Sequence, residues 1–134
     1  MSWDIIVQDL PEGIESVDEL GDDYEPVLIG RRSEIISKIK EVVPMSDFGD
    51  PSWGVIECDG FSVEVSMGDD EECKWFCLHI RGGGEAVGMV ADILEKLDLQ
   101  AIDPQSDSGI FNREEAKESL KRWRDYRDKV MGDQ

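Results

Sequence analysis

The clearest pattern in the chain is an alternation of apolar and polar residues between Trp53 and Met67, which predicts two β-strands with one buried face. Asp59-Gly60 interrupts the alternation. We expect a two-residue type I′ turn there, because that turn needs positive φ at both central positions and Asp-Gly tolerates it. The resulting hairpin register puts three pairs on the core face: Cys58 with Phe61, Ile56 with Val63, and Gly54 with Val65. The opposite face carries Trp53 with Ser66, Val55 with Glu64, and Glu57 with Ser62.

The same alternation in Lys74–Arg81 predicts a third strand beside the hairpin. Its inward side chains are Phe76, Leu78 and Ile80, and its outward ones are Trp75, Cys77 and His79. Further short strands are predicted at Trp3–Gln8 and Leu99–Ile102, with a brief extended segment at Val27–Ile29. Met45–Ser52 is rich in turn residues and is predicted to be a loop.

Apolar residues spaced at 3.6-residue intervals predict helices at Arg32–Val43 and Glu85–Leu97. A short helical turn is expected at Ser16–Leu20, capped by Ser16. Asn112 and Glu115 resemble a capping box and open a last helix that runs to about Met131. The element order β-α-β-β-β-α-β-α predicts a single α+β domain. We expect a largely antiparallel four- to five-stranded sheet, two helices on its core face and a C-terminal helix.

Charge divides the chain into two parts. The 134 residues have a formal net charge of −18, and residues 1–112 hold 26 acidic against 7 basic residues. Residues 113–134 hold 6 acidic and 7 basic residues and are predicted to form an amphipathic helix, packed on the acidic α+β domain 1–112 or appended to it. The acidic part should repel nucleic acids and anionic membranes and attract basic proteins or cations, unless its charge serves solubility alone.

The cysteine count and the apolar runs bear on location. Three cysteines without CxxC spacing do not form a disulfide framework. The chain has no N-terminal apolar stretch typical of a signal peptide and no run near the roughly 18 residues of a membrane span. We therefore expect a cytoplasmic protein with free thiols.

Two loop motifs suggest ligand binding but have weak spacing. Gly82, Gly83 and Gly84 lie between a strand and a helix, where phosphate loops occur, but Val87 stands where GxGxxG requires glycine. We expect a tight turn there, with a ligand loop as the alternative. The acidic turn Gly68–Glu72 could take up a hard cation weakly, although it lacks the ligand spacing of an EF-hand.

A Cys₃His zinc set would need Cys58, Cys73, Cys77 and His79 to converge, but Cys58 points to the core face and Cys77 and His79 point outward. The sequence therefore predicts no metal site and no cofactor. Side chains two apart on a strand are about 6.5 Å apart, so no direct Cys77–His79 hydrogen bond is expected. His79 is the sole histidine and GxSxG is absent, so we expect no enzymatic activity.

The remaining signal is the outward face of the sheet, which combines two tryptophans with acidic residues. Either the terminal helix covers these tryptophans with Leu120 and Trp123, or they form a surface for a partner. The candidate interaction surface consists of Trp53, Val55, Glu57, Glu64, Trp75, Cys77 and His79. In size, acidity and bacterial-type α+β build the chain is similar to immunity proteins that block basic toxins, by analogy of charge. The sequence therefore favours a protein-interaction module for a basic protein, or a homodimer surface. The alternative is a small-ligand- or cation-binding domain that uses the glycine loop or the acidic turns.

Overall fold

The computed structural model describes residues 2–11, 13–21, 24–82, 85–106 and 108–112. It also describes six helical residues beyond them: Ala116, Lys121, Asp125, Tyr126, Asp128 and Lys129. Most of the predicted C-terminal helix, residues 113–134, therefore lies outside the described residues, as does Glu115 of the predicted capping box. Ala116 is fully buried and belongs to the hydrophobic core.

The fold is an α+β domain built on an antiparallel sheet of six strands. Between residues 2 and 112, the described parts of the chain form eight strands and two α-helices: β1 (Trp3–Gln8), β2 (Gly30–Arg31), α1 (Arg32–Val42), β3 (Asp47–Asp50), β4 (Trp53–Cys58), β5 (Phe61–Ser66), β6 (Glu72–Cys73), β7 (Trp75–Gly82), α2 (Ala86–Leu97) and β8 (Gln100–Ile102). The main sheet has the order β3-β4-β5-β7-β1-β8, and β2 pairs separately with β6.

The predicted hairpin register is confirmed. Cys58 pairs with Phe61, Ile56 with Val63 and Gly54 with Val65. The predicted turn type is wrong, because Gly60 has a φ of 88° whereas Asp59 does not have a positive φ. A type I′ turn needs positive φ at both residues.

The sheet is larger than the predicted four to five strands. β3 lies within the segment predicted to be a loop and pairs with β4 through a register shift between Asp47 and Asp50. The segment Val27–Ile29 is not a strand, but Ile29 donates a backbone hydrogen bond of 2.8 Å to Cys73 next to the β2–β6 pair. The sequence did not predict β2, β3 and β6, because strands of only two to four residues show no clear alternation of apolar and polar positions.

Both helices pack on the core face of the sheet. α1 buries Ile35 and Ile39, and α2 buries Val87, Val90, Ile93 and Leu94 in the same cluster as the inward strand residues. An ion pair of 2.9 Å between Glu41 and Lys96 also joins the two helices. The helix boundaries agree with the prediction to within one residue.

Ser16 caps a 3₁₀ turn at Val17–Glu19. The Glu19 carboxylate accepts from the backbone N–H of Ser16 at 2.9 Å, and the Ser16 side chain accepts from the backbone of this turn. The predicted capped turn is confirmed in this acidic connection.

Candidate functional site

The side of the sheet turned away from the helices is the outer face, formed by the outward side chains of β4, β5, β7 and β1. All seven residues of the predicted interaction surface point to it, because they occupy the alternate positions to the core residues of β4, β5 and β7. Trp53 is 41% exposed and Trp75 is 55% exposed. The two tryptophans are therefore accessible in the structure.

Cys77 is an exception within this surface. It points outward, but it is only 8% exposed, and its cross-strand neighbours are Ser66 on β5 and Ile6 on β1. Cys58, which was predicted to lie on the core side, is half-buried at the end of its strand. Cys77 is therefore not an accessible part of the surface.

His79 is the centre of a cluster at the middle of the outer face. Its Nδ1 lies 2.8 Å from Asp4 Oδ1 and 3.8 Å from Cys77 Sγ. The prediction of no direct Cys77–His79 hydrogen bond is wrong, because the two atoms lie within hydrogen-bond distance for sulfur and not about 6.5 Å apart. The indole of Trp53 stacks on the imidazole, with ring centroids 5.6 Å apart and an interplanar angle of 20°.

The cluster depends on strand order as well as on alternation. Asp4 lies directly across from His79 in the antiparallel pairing of β1 with β7. Trp53 reaches His79 from β4, across the intervening strand β5, where its own cross-strand partner is the small residue Ser66. The sheet thus brings together residues from three strands that are far apart in the sequence.

The cluster does not have the geometry of a catalytic triad. In a triad, the nucleophile contacts one imidazole nitrogen while the carboxylate orients the ring through the other, so that the first nitrogen can take the proton of the nucleophile. Here the Cys77 sulfur and the Asp4 oxygen both face Nδ1. Burial, and secondarily the negative charge of Asp4, raises the pKa of the Cys77 thiol to about 11. The thiolate needed for nucleophilic attack is therefore disfavoured at neutral pH.

A second feature, the acidic cleft, lies beside Trp75. It has a volume of about 690 Å³ and is lined by Leu28, Ser66, Met67, the acidic turn Gly68–Glu72, Cys73, Lys74 and Trp75. Leu28 is 50% exposed and adds apolar surface to the same cleft as Trp75. Apolar side chains and consecutive carboxylates therefore share one concave surface.

The acidic turn is attached to the start of α1. Ser33 donates to Glu71 Oε1 from its backbone N–H at 3.2 Å and from its hydroxyl, so a carboxylate from a distant loop caps the helix. The guanidinium of Arg32 donates to the carbonyl of Gly68 at 2.6 Å. The two hydrogen bonds from Ser33 lower the pKa of Glu71 below its usual value. Together with the Arg32–Gly68 hydrogen bond, they hold the rim of the cleft in a defined position.

Gly82 belongs to the predicted glycine loop, and its role is to allow close packing. Its φ is 108°, and a Cβ built there would lie 2.3 Å from the carbonyl oxygen of Gly60. The end of β7 thus approaches the hairpin turn too closely for any side chain. Gly83 and Gly84 lie outside the described residues.

Sequence reasoning missed Asp4 and Leu28. Asp4 could have been placed on the outer face from the alternation of Trp3, Ile5 and Val7, but its neighbour on the next strand could not. The other two cysteines of the possible zinc set lie apart from His79. Cys58 is at the hairpin turn, and Cys73 pairs with Gly30 in the β2–β6 ribbon.

No helix within the described parts of the chain is long and apolar enough to cross a membrane. No protein-family model, curated protein or solved structure matches the chain.

Proposed function

We propose that the protein is a non-enzymatic interaction module that binds a basic protein partner through the acidic cleft and the adjoining outer face. The observation that carries this proposal is the position of Trp75. Its indole is 55% exposed and lines the same cleft as Leu28 and four consecutive carboxylates, Asp69 to Glu72. An exposed aromatic anchor with an ionic rim is typical of the energetic centre of a protein interface.

Charge favours a basic partner over a second copy of this chain. The net charge of −18 attracts a cationic protein at long range, whereas two copies repel each other. A symmetric dimer through the cleft would also bring equivalent carboxylates together, since each copy presents the same patch. Homodimer formation is therefore an outcome to be tested and not the proposal.

The non-enzymatic part of the proposal is supported by the chemistry of the His79 cluster. The one histidine of the chain presents the same nitrogen to Cys77 and to Asp4, so it is not arranged to relay a proton. A reducing, cytoplasmic location is part of the proposal, and the free state of Cys58, Cys73 and Cys77 is compatible with it. The analogy to immunity proteins rests on the same acidity.

A random peptide display library tests the proposal before any partner is identified. Peptides selected on the full chain near physiological salt should be enriched in Lys or Arg combined with apolar residues. They should lose binding to Trp75→Ala and to Asp69→Asn with Asp70→Asn. Enrichment without basic residues, or no enrichment, would contradict the proposal.

The matched control removes two charges elsewhere. Glu95→Gln with Asp98→Asn changes the end of α2, on the opposite side of the sheet, and Asn tolerates the left-handed backbone of Asp98, which has a φ of 54°. Selected peptides should bind this variant almost as well as the unchanged protein. If both double variants weaken binding equally, the attraction is a property of net charge and not of the cleft.

A further inference from the structure

We propose that Asp4, Cys77 and His79 form a binding site for a zinc-like divalent ion, with one coordination position open to solvent. Three different donor atoms, a carboxylate oxygen, a sulfur and an imidazole nitrogen, all lie within 4.8 Å of one another. This inference is independent of the acidic cleft and of the proposed basic partner.

The distances are close to those of a tetrahedral centre. Bonds of about 2.0–2.2 Å to nitrogen and oxygen and about 2.3 Å to sulfur place tetrahedral ligand atoms roughly 3.3–3.7 Å apart. His79 Nδ1 lies 2.8 Å from Asp4 Oδ1 and 3.8 Å from Cys77 Sγ. Side-chain rotations that change these two distances by less than about 1 Å would bring the nitrogen, oxygen and sulfur to bonding distance from one ion.

The shared use of Nδ1 favours a metal ion over a proton relay. A single N–H on Nδ1 points along one direction, so it serves Asp4 or Cys77, while the other atom remains a contact without a donor from that nitrogen. A cation placed between the three atoms interacts with all of them at once. The mixed N, S and O donor set suits zinc better than the hard ions magnesium and calcium, which prefer oxygen alone.

The surroundings hold the ligands in place. Asp4 and His79 are fixed by the pairing of β1 with β7, and Trp53 stacks on the imidazole. Cys77 is buried, but Asp4 is exposed and His79 is half-buried, so an ion can enter from the outer face. The open side provides the fourth position for water, as in zinc sites with three protein ligands.

Binding of the ion requires the loss of one proton, from the thiol of Cys77. The S–H bond of Cys77 breaks, its proton passes to solvent, and the sulfur forms a bond to the ion. His79 binds as the neutral imidazole with its proton on Nε2, and the carboxylate of Asp4 binds without losing a proton. No oxidant or further reactant is needed.

Titration of the full chain with Co²⁺, which replaces zinc and absorbs light, tests the site. The thiols are kept reduced with a phosphine, and excess Mg²⁺ occupies the carboxylates of the acidic cleft. One equivalent of Co²⁺ should produce near-ultraviolet thiolate-to-cobalt absorption and visible bands of four-coordinate cobalt. One equivalent of Zn²⁺ should remove them, because zinc binds such a site more tightly than cobalt.

Three variants locate the ion. Cys77→Ala should abolish the near-ultraviolet absorption, whereas Cys58→Ala should retain it. Asp4→Asn changes an exposed side chain, so the fold should persist, and should weaken cobalt binding by at least about tenfold. The proposal is overturned if the unchanged protein shows no such absorption even in a large excess of cobalt, or if Asp4→Asn binds as tightly as the unchanged chain. Retention of the thiolate band in Cys77→Ala would overturn it as well.

Discussion

The indole N–H of Trp3 donates a hydrogen bond of 2.9 Å to Asp103 Oδ1, which joins the first strand to the loop after the last one. Both residues are essentially inaccessible to water. Asp103 Oδ1 also accepts from the backbone N–H of Gln105 at 2.9 Å. Phe111 packs beside the indole, with ring centroids 6.4 Å apart. This buried carboxylate therefore ties the segment after β8 to the core.

Trp3→Phe removes that donor while it keeps an aromatic ring in the core. We expect a loss of about 1–3 kcal/mol in the free energy of unfolding, because the buried Asp103 acceptor loses its indole donor. Urea denaturation followed by circular dichroism measures the change. The control is Trp53→Phe, whose partly exposed ring should make it nearly neutral, within about 0.5 kcal/mol. Equal effects of the two substitutions would show that the Asp103 contact contributes little.

The sequence predicted the core face because local rules determine it. Asp59-Gly60 sets the register of β4 and β5, and the stripes of α1 and α2 define their buried sides. Strand order follows from long-range contacts, such as the pairing of Asp4 with His79, which are 75 positions apart. For this reason the sequence assigned Trp53, Cys77 and His79 to one face but could not add Asp4 to the cluster. Leu28 was missed for the same reason, since a loop brings it to Trp75.

The capping of α1 by Glu71 predicts a stability difference that depends on pH. Hydrogen bonds from Ser33 lower the pKa of Glu71 from its usual value of 4.5. The stabilisation is therefore fully present above the unfolded-state pKa and is lost as the pH falls through the lower folded-state pKa. Glu71→Gln should reduce the urea midpoint at pH 7, and its difference from the unchanged protein should shrink below about pH 4.

Glu72→Gln is the matched control for this experiment, because it removes the same charge from the adjacent exposed residue. Its effect on the urea midpoint at pH 7 should be smaller than that of Glu71→Gln. If the difference in urea midpoint between Glu71→Gln and the unchanged protein stayed constant from pH 7 to below about pH 4, the ionised carboxylate would not stabilise the helix terminus.

Gly82 and Gly60 meet at one close contact but differ in what a side chain would encounter. Gly82 has a φ of 108° and a Cβ there would overlap Gly60 O, whereas Gly60 has a φ of 88° and open space around its Cβ position. Gly60→Ala should cost about 1–2 kcal/mol for the left-handed backbone alone. Gly82→Ala should cost clearly more, since strands must separate. Thermal unfolding of both variants makes the comparison, and equal costs would contradict the close packing.

Ala116 tests how the C-terminal segment relates to the domain. It has no exposed surface and lies in the same core cluster as Trp3 and Ala101. Ala116→Asp should destabilise the whole protein by at least about 3 kcal/mol, because it buries an unpaired charge. Lys121→Asp, at an exposed helical position, should change stability little. A small effect of Ala116→Asp would indicate a segment that detaches without loss of the domain.

The last prediction separates the roles of charge and of the aromatic anchor in binding, using a basic peptide selected from the display library. Association should slow steeply as salt rises, because the Debye length falls from about 30 Å at 0.01 M to about 8 Å at 0.15 M. Asp69→Asn with Asp70→Asn should mainly lower the association rate. Trp75→Ala should mainly raise the dissociation rate, because it removes contact area at the centre of the interface.

A comparison within the outer face sharpens this test. Glu64 accepts a hydrogen bond of 2.9 Å from Arg81, so part of its charge is already neutralised. Glu57→Gln with Glu64→Gln should therefore slow association less than the double substitution at Asp69 and Asp70, although each removes two formal charges. Surface plasmon resonance across the salt range gives both rates for every variant. An association rate indifferent to salt would mean that the acidity serves solubility, and equal effects of the two double variants would show that the cleft has no special role.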